Sequence, residues 1–163
     1  MIYLNAKPNG CHIALAKLKE FGKLKTEVTQ NINGLHQTAG SKVVYELHGS
    51  VLRNYYIKCG VFYVEKFILK SEGIPTCSKC SRKVKPDVVL YEEGLDSYII
   101  TCAVSAISQA DILIIGGTSL VVYPNAGLID YFRGKILVLI NKSSTSADNK
   151  ADLVIREAIG KVL

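Results

Sequence analysis

The sequence predicts an α/β protein: a mainly parallel sheet with helices on both faces, interrupted by a small cysteine-bearing lobe. Three observations predict it. Short apolar runs of strand length alternate with segments at helical spacing. The run from Ala110 to Ile115 ends in Gly116-Gly117-Thr118-Ser119, the pattern of a buried parallel strand running into a loop at its carboxyl end. Between Ser50 and Pro86 the composition changes: Tyr, Lys, Cys and Gly dominate and apolar residues thin out.

The elements follow in order. Pro8 opens a helical segment to Phe21, with Ile13, Leu15, Leu18 and Phe21 near helical spacing and Gly22 as the stop. Lys23 to Thr29 reads as a short strand, Asn31 to Gly40 as a loop or helix start, and Val43 to His48 as a second strand. After the insertion, Val88 to Tyr91 is extended, and Asp96 to Gln109 has helical spacing at Ile99, Ala103, Ala106 and Ile107. The buried strand comes next, then a helix over Asn125 to Phe132. Strands over Lys135 to Asn141 and Ala151 to Ile155 complete the chain.

With 163 residues, the chain suits one domain or a compact pair of lobes. Its 48% hydrophobic and 21% charged residues exclude disorder of the chain as a whole. The net charge of +6 is ordinary for solubility, and direct nucleic-acid binding is not expected. No run approaches the roughly 20 apolar residues that span a bilayer, so no membrane partner is expected. MIYLNAKPNG lacks the basic-then-apolar pattern of a signal peptide. Five cysteines, an odd number with one C-x-x-C, favour a reducing, cytoplasmic setting and metal chemistry over a disulfide framework.

Five motifs could carry chemistry. Thr29 to His36 stands at a strand end, where Gln30, Asn31 and Asn33 could bond sugar hydroxyls or simply shape a polar, helix-capping turn. His48, between Leu47 and Gly49, is placed as a general base, or as a structural hydrogen-bonding residue. Cys77-Ser78-Lys79-Cys80 has knuckle spacing, and Cys59 lies upstream. A four-cysteine zinc site would want a ligand at position 56, where Tyr56 stands; water, Glu65 or Glu72 could fill the vacancy. Cys11 and Cys102 read as small thiols on helices. Gly117, Thr118 and Ser119 suit close approach to a phosphate, although they are not a G-x-G-x-x-G. Asn141, at another strand end, could reach a ribose.

Together these pieces resemble the sirtuin family of NAD-dependent protein-lysine deacylases. Pro8-Asn9 with His12 resembles P-N-x-x-H, and Thr29 to His36 resembles T-Q-N-I-D-x-L-H. Glu46 to Gly49 matches E-L-H-G, Lys85 to Val89 matches K-P-D-V-V, and Gly117 to Leu120 matches G-T-S-L. Pro124 and Asn141 follow in order, and the resemblance covers nearly the whole chain. It implies a partial Rossmann-like parallel sheet, an NAD-binding lobe over residues 1–49 and 87–163, and a small zinc-ribbon-like lobe over 50–86.

The resemblance also implies roles. His48 is the general base; Gln30, Asn31, Asn33, Gly117, Thr118, Ser119 and Asn141 bind NAD. Val88, Val89, Glu93, Leu95 and Val122 receive an acylated-lysine protein or peptide, added as a strand. Cys59, Cys77 and Cys80 hold zinc. The implied reaction moves an acyl group from lysine to ADP-ribose and releases nicotinamide.

The departures from the family pattern set further expectations. The G-A-G-x-S and G-I-P-D-F-R segments of the family are absent from this sequence. A complementing chain or oligomer is therefore expected to cover the missing strand. Asn33 replaces an acid, Tyr56 interrupts the zinc quartet, and Tyr91 to Leu95 replaces F-G-E-x-L. The alternatives are an inactive truncated remnant, a zinc-dependent binding module, or ADP-ribosyl transfer to protein.

Overall fold

The computed structural model describes residues 5–55, 59–90, 92–120 and 125–163. Helix α1 (Gly10–Glu20) begins where Asn9 accepts from the His12 amide and His12 returns a bond to the Asn9 amide. This reciprocal cap satisfies two amides that a helix start would otherwise leave open. Strand β1 (Glu27–Thr29) follows, then the one-turn helix α2 (Leu35–Thr38) and strand β2 (Val44–Glu46). β1 and β2 are parallel, with Thr29 opposite Glu46.

Helix α4 (Ser97–Ser108) starts on Asp96, whose carboxylate accepts from the Tyr98 and Ile99 amides. It buries Ala103 and Ile107 against Leu47 and Leu128, the latter from the helix expected over Asn125 to Phe132, which is a 3-10 helix over Asn125–Tyr131. Each fully buried Leu or Ile in such a cluster contributes about 1.5–3 kcal/mol.

Strands β6 (Ile112–Gly116), β7 (Ile136–Ile140) and β8 (Leu153–Ile155) form a second parallel sheet in the order β6-β7-β8. The short α5 (Ile159–Val162), which the sequence pattern did not announce, packs beside α1. One face of this sheet carries Leu137 and Leu139, both buried. The opposite face is largely open: Ile112 is 53% exposed, Ile114 41%, Ile136 42% and Leu153 50%. The register puts these four on one side, because Ile112 opposes Ile136, Ile114 opposes Val138, and Val138 opposes Leu153.

The expectation that β6 is a buried parallel strand is corrected in its burial: the strand is parallel, but half of it faces outward. Among the described residues β6 is paired on one side only and covered on one face. A continuous apolar run signals that both faces can be buried, but the covering layer must come from elsewhere.

The insertion contains strands β3 (Gly49–Tyr55), β4 (Phe62–Val64) and β5 (Lys85–Val88), antiparallel in the order β4-β3-β5, with helix α3 (Glu65–Lys70). Its core is small. Cys77 and Val84 are buried beneath Val61, Tyr63, Phe67 and Ile68. Such a core offers little apolar area, so a metal clip would add to its stability. No helix among the described residues is long and apolar enough to cross a membrane.

Candidate active site and metal centre

The motif residues gather at the carboxyl ends of the parallel strands. The Leu47 amide donates to the Thr29 carbonyl at 2.9 Å, which brings the ends of β1 and β2 side by side. Thr29 Oγ1 accepts from the Asn31 amide at 3.1 Å and turns the chain there. His48 Nδ1 lies 3.0 Å from the Gln30 carbonyl oxygen. A carbonyl can only accept, so Nδ1 carries the proton and Nε2 the lone pair of the neutral ring. That tautomer can take a proton from a hydroxyl.

The Val89 amide donates to the His48 carbonyl at 3.1 Å, tying the Val88-Val89 segment to the histidine. Gly49 makes this approach possible. Its φ of +72° is left-handed, and a Cβ there would collide with the Asp87 carbonyl. Arg53 then bridges the two segments, donating to Glu46 at 2.5 Å and to Asp87 at 2.8 Å. Burial disfavours the Arg53 charge, but these two carboxylates outweigh it and the guanidinium stays protonated. A cavity of about 300 Å³ adjoins the cluster, lined by Glu46, Arg53, Asp87 and Asp96 with Leu47 and Val89.

The second group of motif residues stands at the ends of β6 and β7. Gly117 has φ +64°, and its amide donates to the Ile140 carbonyl at 3.2 Å. Thr118 Oγ1 accepts from the Leu120 amide at 3.2 Å, and Ser119 is exposed. Asn141 donates from its backbone to Ile155 at 3.1 Å and from its side chain to the Ser143 carbonyl at 3.0 Å. Side-chain amides and hydroxyls at strand ends form a donor set that fits a hydroxyl-rich, phosphate-bearing ligand such as NAD.

The remaining expected residues are placed as follows. Asn33 is exposed, and its side chain accepts from the Leu35 amide at 3.2 Å. Val88 pairs with Gly49 across β5 and β3. Glu93 pairs with Lys85 and accepts from the Leu90 amide at 2.9 Å. The Lys85 ammonium holds its carboxyl below the usual glutamate range. Leu95 is half-buried. Tyr56 and Val122 lie outside the described residues, as do Tyr91, Val121, Tyr123 and Pro124.

Cys59 Sγ lies 3.6 Å from Cys77 Sγ and 3.7 Å from Cys80 Sγ. Sulfurs at the corners of a zinc tetrahedron stand about 3.8 Å apart, given Zn–S bonds of about 2.3 Å. The three thiols therefore fit zinc. Among the described residues this is the only such group of three or more ligating side chains, and neither Glu65 nor Glu72 belongs to it. The Tyr63 hydroxyl beside Cys77 draws that thiol down to about 6, while burial pushes the Cys80 thiol up.

Sequence reasoning missed three contributors. Arg53 left a faint signal as the single charge in β3. Tyr63 left none, because its contact with Cys77 spans 14 residues. Glu27 is buried on β1; it pairs with His36, and Ser41 Oγ donates to its other oxygen. The His36 ring lies 4.7 Å from that of His12.

Comparison with known proteins identifies the family and the fold. A model described as the Sir2 family matches residues 1–124. The chain is 72% identical over 164 residues to an NAD-dependent protein deacetylase of Clostridium perfringens, covering 100% of this chain and 67% of that protein. A solved structure of Sir2 with a p53 peptide and NAD+ superposes with a TM-score of 0.91 at 39% identity, covering 98% of this chain and 68% of the other. A structure of Sir2 bound to an acetylated peptide does so at 0.91 and 38%, covering 98% and 69%.

Proposed function

The chain belongs to the Sir2 family, and on that premise we propose that it is an NAD-dependent protein-lysine deacetylase or deacylase. The reaction cleaves nicotinamide from NAD, transfers the acyl group from lysine to the resulting ADP-ribose, and consumes one water in releasing the free lysine. The observation that carries this reading is His48 at the end of β2, its Nδ1 on the Gln30 carbonyl and its backbone bonded to Val89. One histidine thus touches both the segment read as ribose-binding and the segment read as acyl-lysine-binding.

NAD, when bound, supplies the ribosyl group and the hydroxyl that accepts the acyl group. His48 Nε2 withdraws that hydroxyl's proton, and the Gln30 carbonyl holds the ring in the tautomer that can do so. Gln30 and Asn31 orient the ribose. Gly117, Thr118 and Ser119 approach the phosphates, and Asn141 the second ribose. Val88 and Val89 line the acyl-lysine channel and exclude water, with Glu93, Leu95 and Val122 along the peptide.

The NAD-binding lobe comprises residues 1–49 and 87–163, and residues 50–86 form the zinc lobe. An added polypeptide segment, from a second chain or another copy, covers the open face and edge of β6. Four exposed aliphatic side chains on one sheet face support this. Free thiols at a metal-binding spacing suit the reducing cytoplasm.

Calorimetric titration of the purified chain with NAD, followed by mass spectrometry of an acetyl-lysine peptide incubated with both, tests the proposal. Binding with NAD-dependent loss of the acetyl group supports it. A folded chain that neither binds NAD nor deacetylates the peptide counts against activity of this chain.

A further inference from the structure

We propose that Tyr63 is an outer-shell determinant of the metal site, fixing Cys77 as a ligand through its hydroxyl. The inference rests on the three-thiol zinc reading and is independent of NAD.

Three groups surround the Tyr63 hydroxyl, and one arrangement of their protons aims it at Cys77. The Ser78 amide donates to Tyr63 Oη at 2.9 Å, and a backbone N–H can only donate. Ser78 Oγ lies 3.0 Å away, and either hydroxyl can donate in that contact; with Ser78 as donor it fills the second lone pair. The single phenolic proton then points at Cys77 Sγ, 3.3 Å away. The Lys79 amide reaches the same sulfur at 3.4 Å. Cys77 is 2% exposed, so these donors stand in for the water that a thiolate would otherwise require.

The ring is itself fixed. Tyr63 sits in β4 opposite Asn54 of β3, and it stacks on Phe67 with centroids 4.2 Å apart. Sheet register and stacking therefore aim the hydroxyl before any metal arrives. Among the described residues no fourth His, Cys, Asp or Glu joins the three sulfurs. The orientation of each sulfur then weighs more than in a four-cysteine site.

Outer-shell partners typically change metal affinity about 10–100-fold. Competition of the full chain with a chromophoric chelator measures zinc affinity, and cobalt substitution reports thiolate coordination through its charge-transfer band. We expect one zinc per wild-type chain. Tyr63→Phe keeps the ring and its stack, and should weaken zinc about 10–100-fold with the cobalt band shifted. Zinc affinity within threefold of wild type in a folded Tyr63→Phe chain overturns the proposal, as does a wild-type chain that takes up no zinc.

Should Tyr63→Phe lose its far-UV signal, Ser78→Ala decides. It removes one of the two anchors of the hydroxyl and leaves Tyr63 and Cys77 in place. A weaker zinc site then supports the role, and an unchanged one overturns it. No NAD or acyl peptide enters the experiment, so its failure leaves the deacylase reading untouched.

Discussion

His48 and Gln30 are joined across two parallel strands: the imidazole Nδ1 sits 3.0 Å from the carbonyl oxygen at the end of β1. The bond ties the tautomer of one residue to the backbone of a loop read as a ribose-binding element. Replacing His48 with Ala removes the base and should cut NAD-dependent deacetylation by about 10²–10⁴-fold, the usual range for a positioned base. Peptide mass spectrometry against the wild-type chain reads this directly. Activity that survives the change removes His48 from the role.

Glu27 makes stability pH-dependent. Burial pushes its carboxyl up, but hydrogen bonds from His36 and Ser41 and the nearby charges outweigh this, so it ionises below the ordinary glutamate value. A depressed carboxyl contributes stability that is fully present above its unfolded value and is lost as pH falls through its folded value. Glu27→Gln should cost about 1–3 kcal/mol near neutrality, because His36 and Ser41 lose a charged acceptor. It should also flatten the acid limb of the stability profile. Urea melts at a series of pH values would show an unchanged limb if Glu27 is not responsible.

The open face of the β6-β7-β8 sheet predicts self-association. Ile112 and Ile136 are cross-strand partners on it and about half exposed. Ile112→Lys combined with Ile136→Glu places opposite charges side by side and should reduce both light scattering and binding of a hydrophobic dye. A wild-type chain that is monomeric and binds no dye would show that this face is not exposed in solution.

Gly49→Ala should be disproportionately costly. The residue has φ +72°, and an added Cβ meets the Asp87 carbonyl. Left-handed strain alone is about 1–3 kcal/mol, and relieving the collision would move β5 away from β3. Thermal melting should drop sharply, and the Val89–His48 bond should protect its amide less in hydrogen exchange. Unchanged protection of the Val89 amide would mean that β5 does not move.

The motif residues were legible because strand ends announce themselves. An apolar run that stops at Gly117, at Asn141 or at Leu47-His48 marks where side chains leave a sheet, and the parallel β6 and β7 bring the first two of these ends to one edge. Helices α1 and α4 were legible through apolar spacing, with Pro8 and Gly22 bounding the first; the caps on Asn9 and Asp96, and helices α3 and α5, emerged only in the structure. The cysteine cluster followed from spacing alone. One sequence thus determined the alternation of elements, the residues at the strand ends and the three thiols.

Tertiary structure alone decided which of them meet. Arg53 reaches Glu46 and Asp87, seven and 34 residues away. Tyr63 reaches Cys77 only because β4 pairs with β3 beside the knuckle. Glu27, His36 and His12 converge from three separate elements. The exposure of β6 was equally invisible, because an apolar strand has the same sequence whether or not a neighbour covers it. Local pattern encodes what each segment can bury or bond; the partner is set by chain crossings that bring distant residues within a few ångströms.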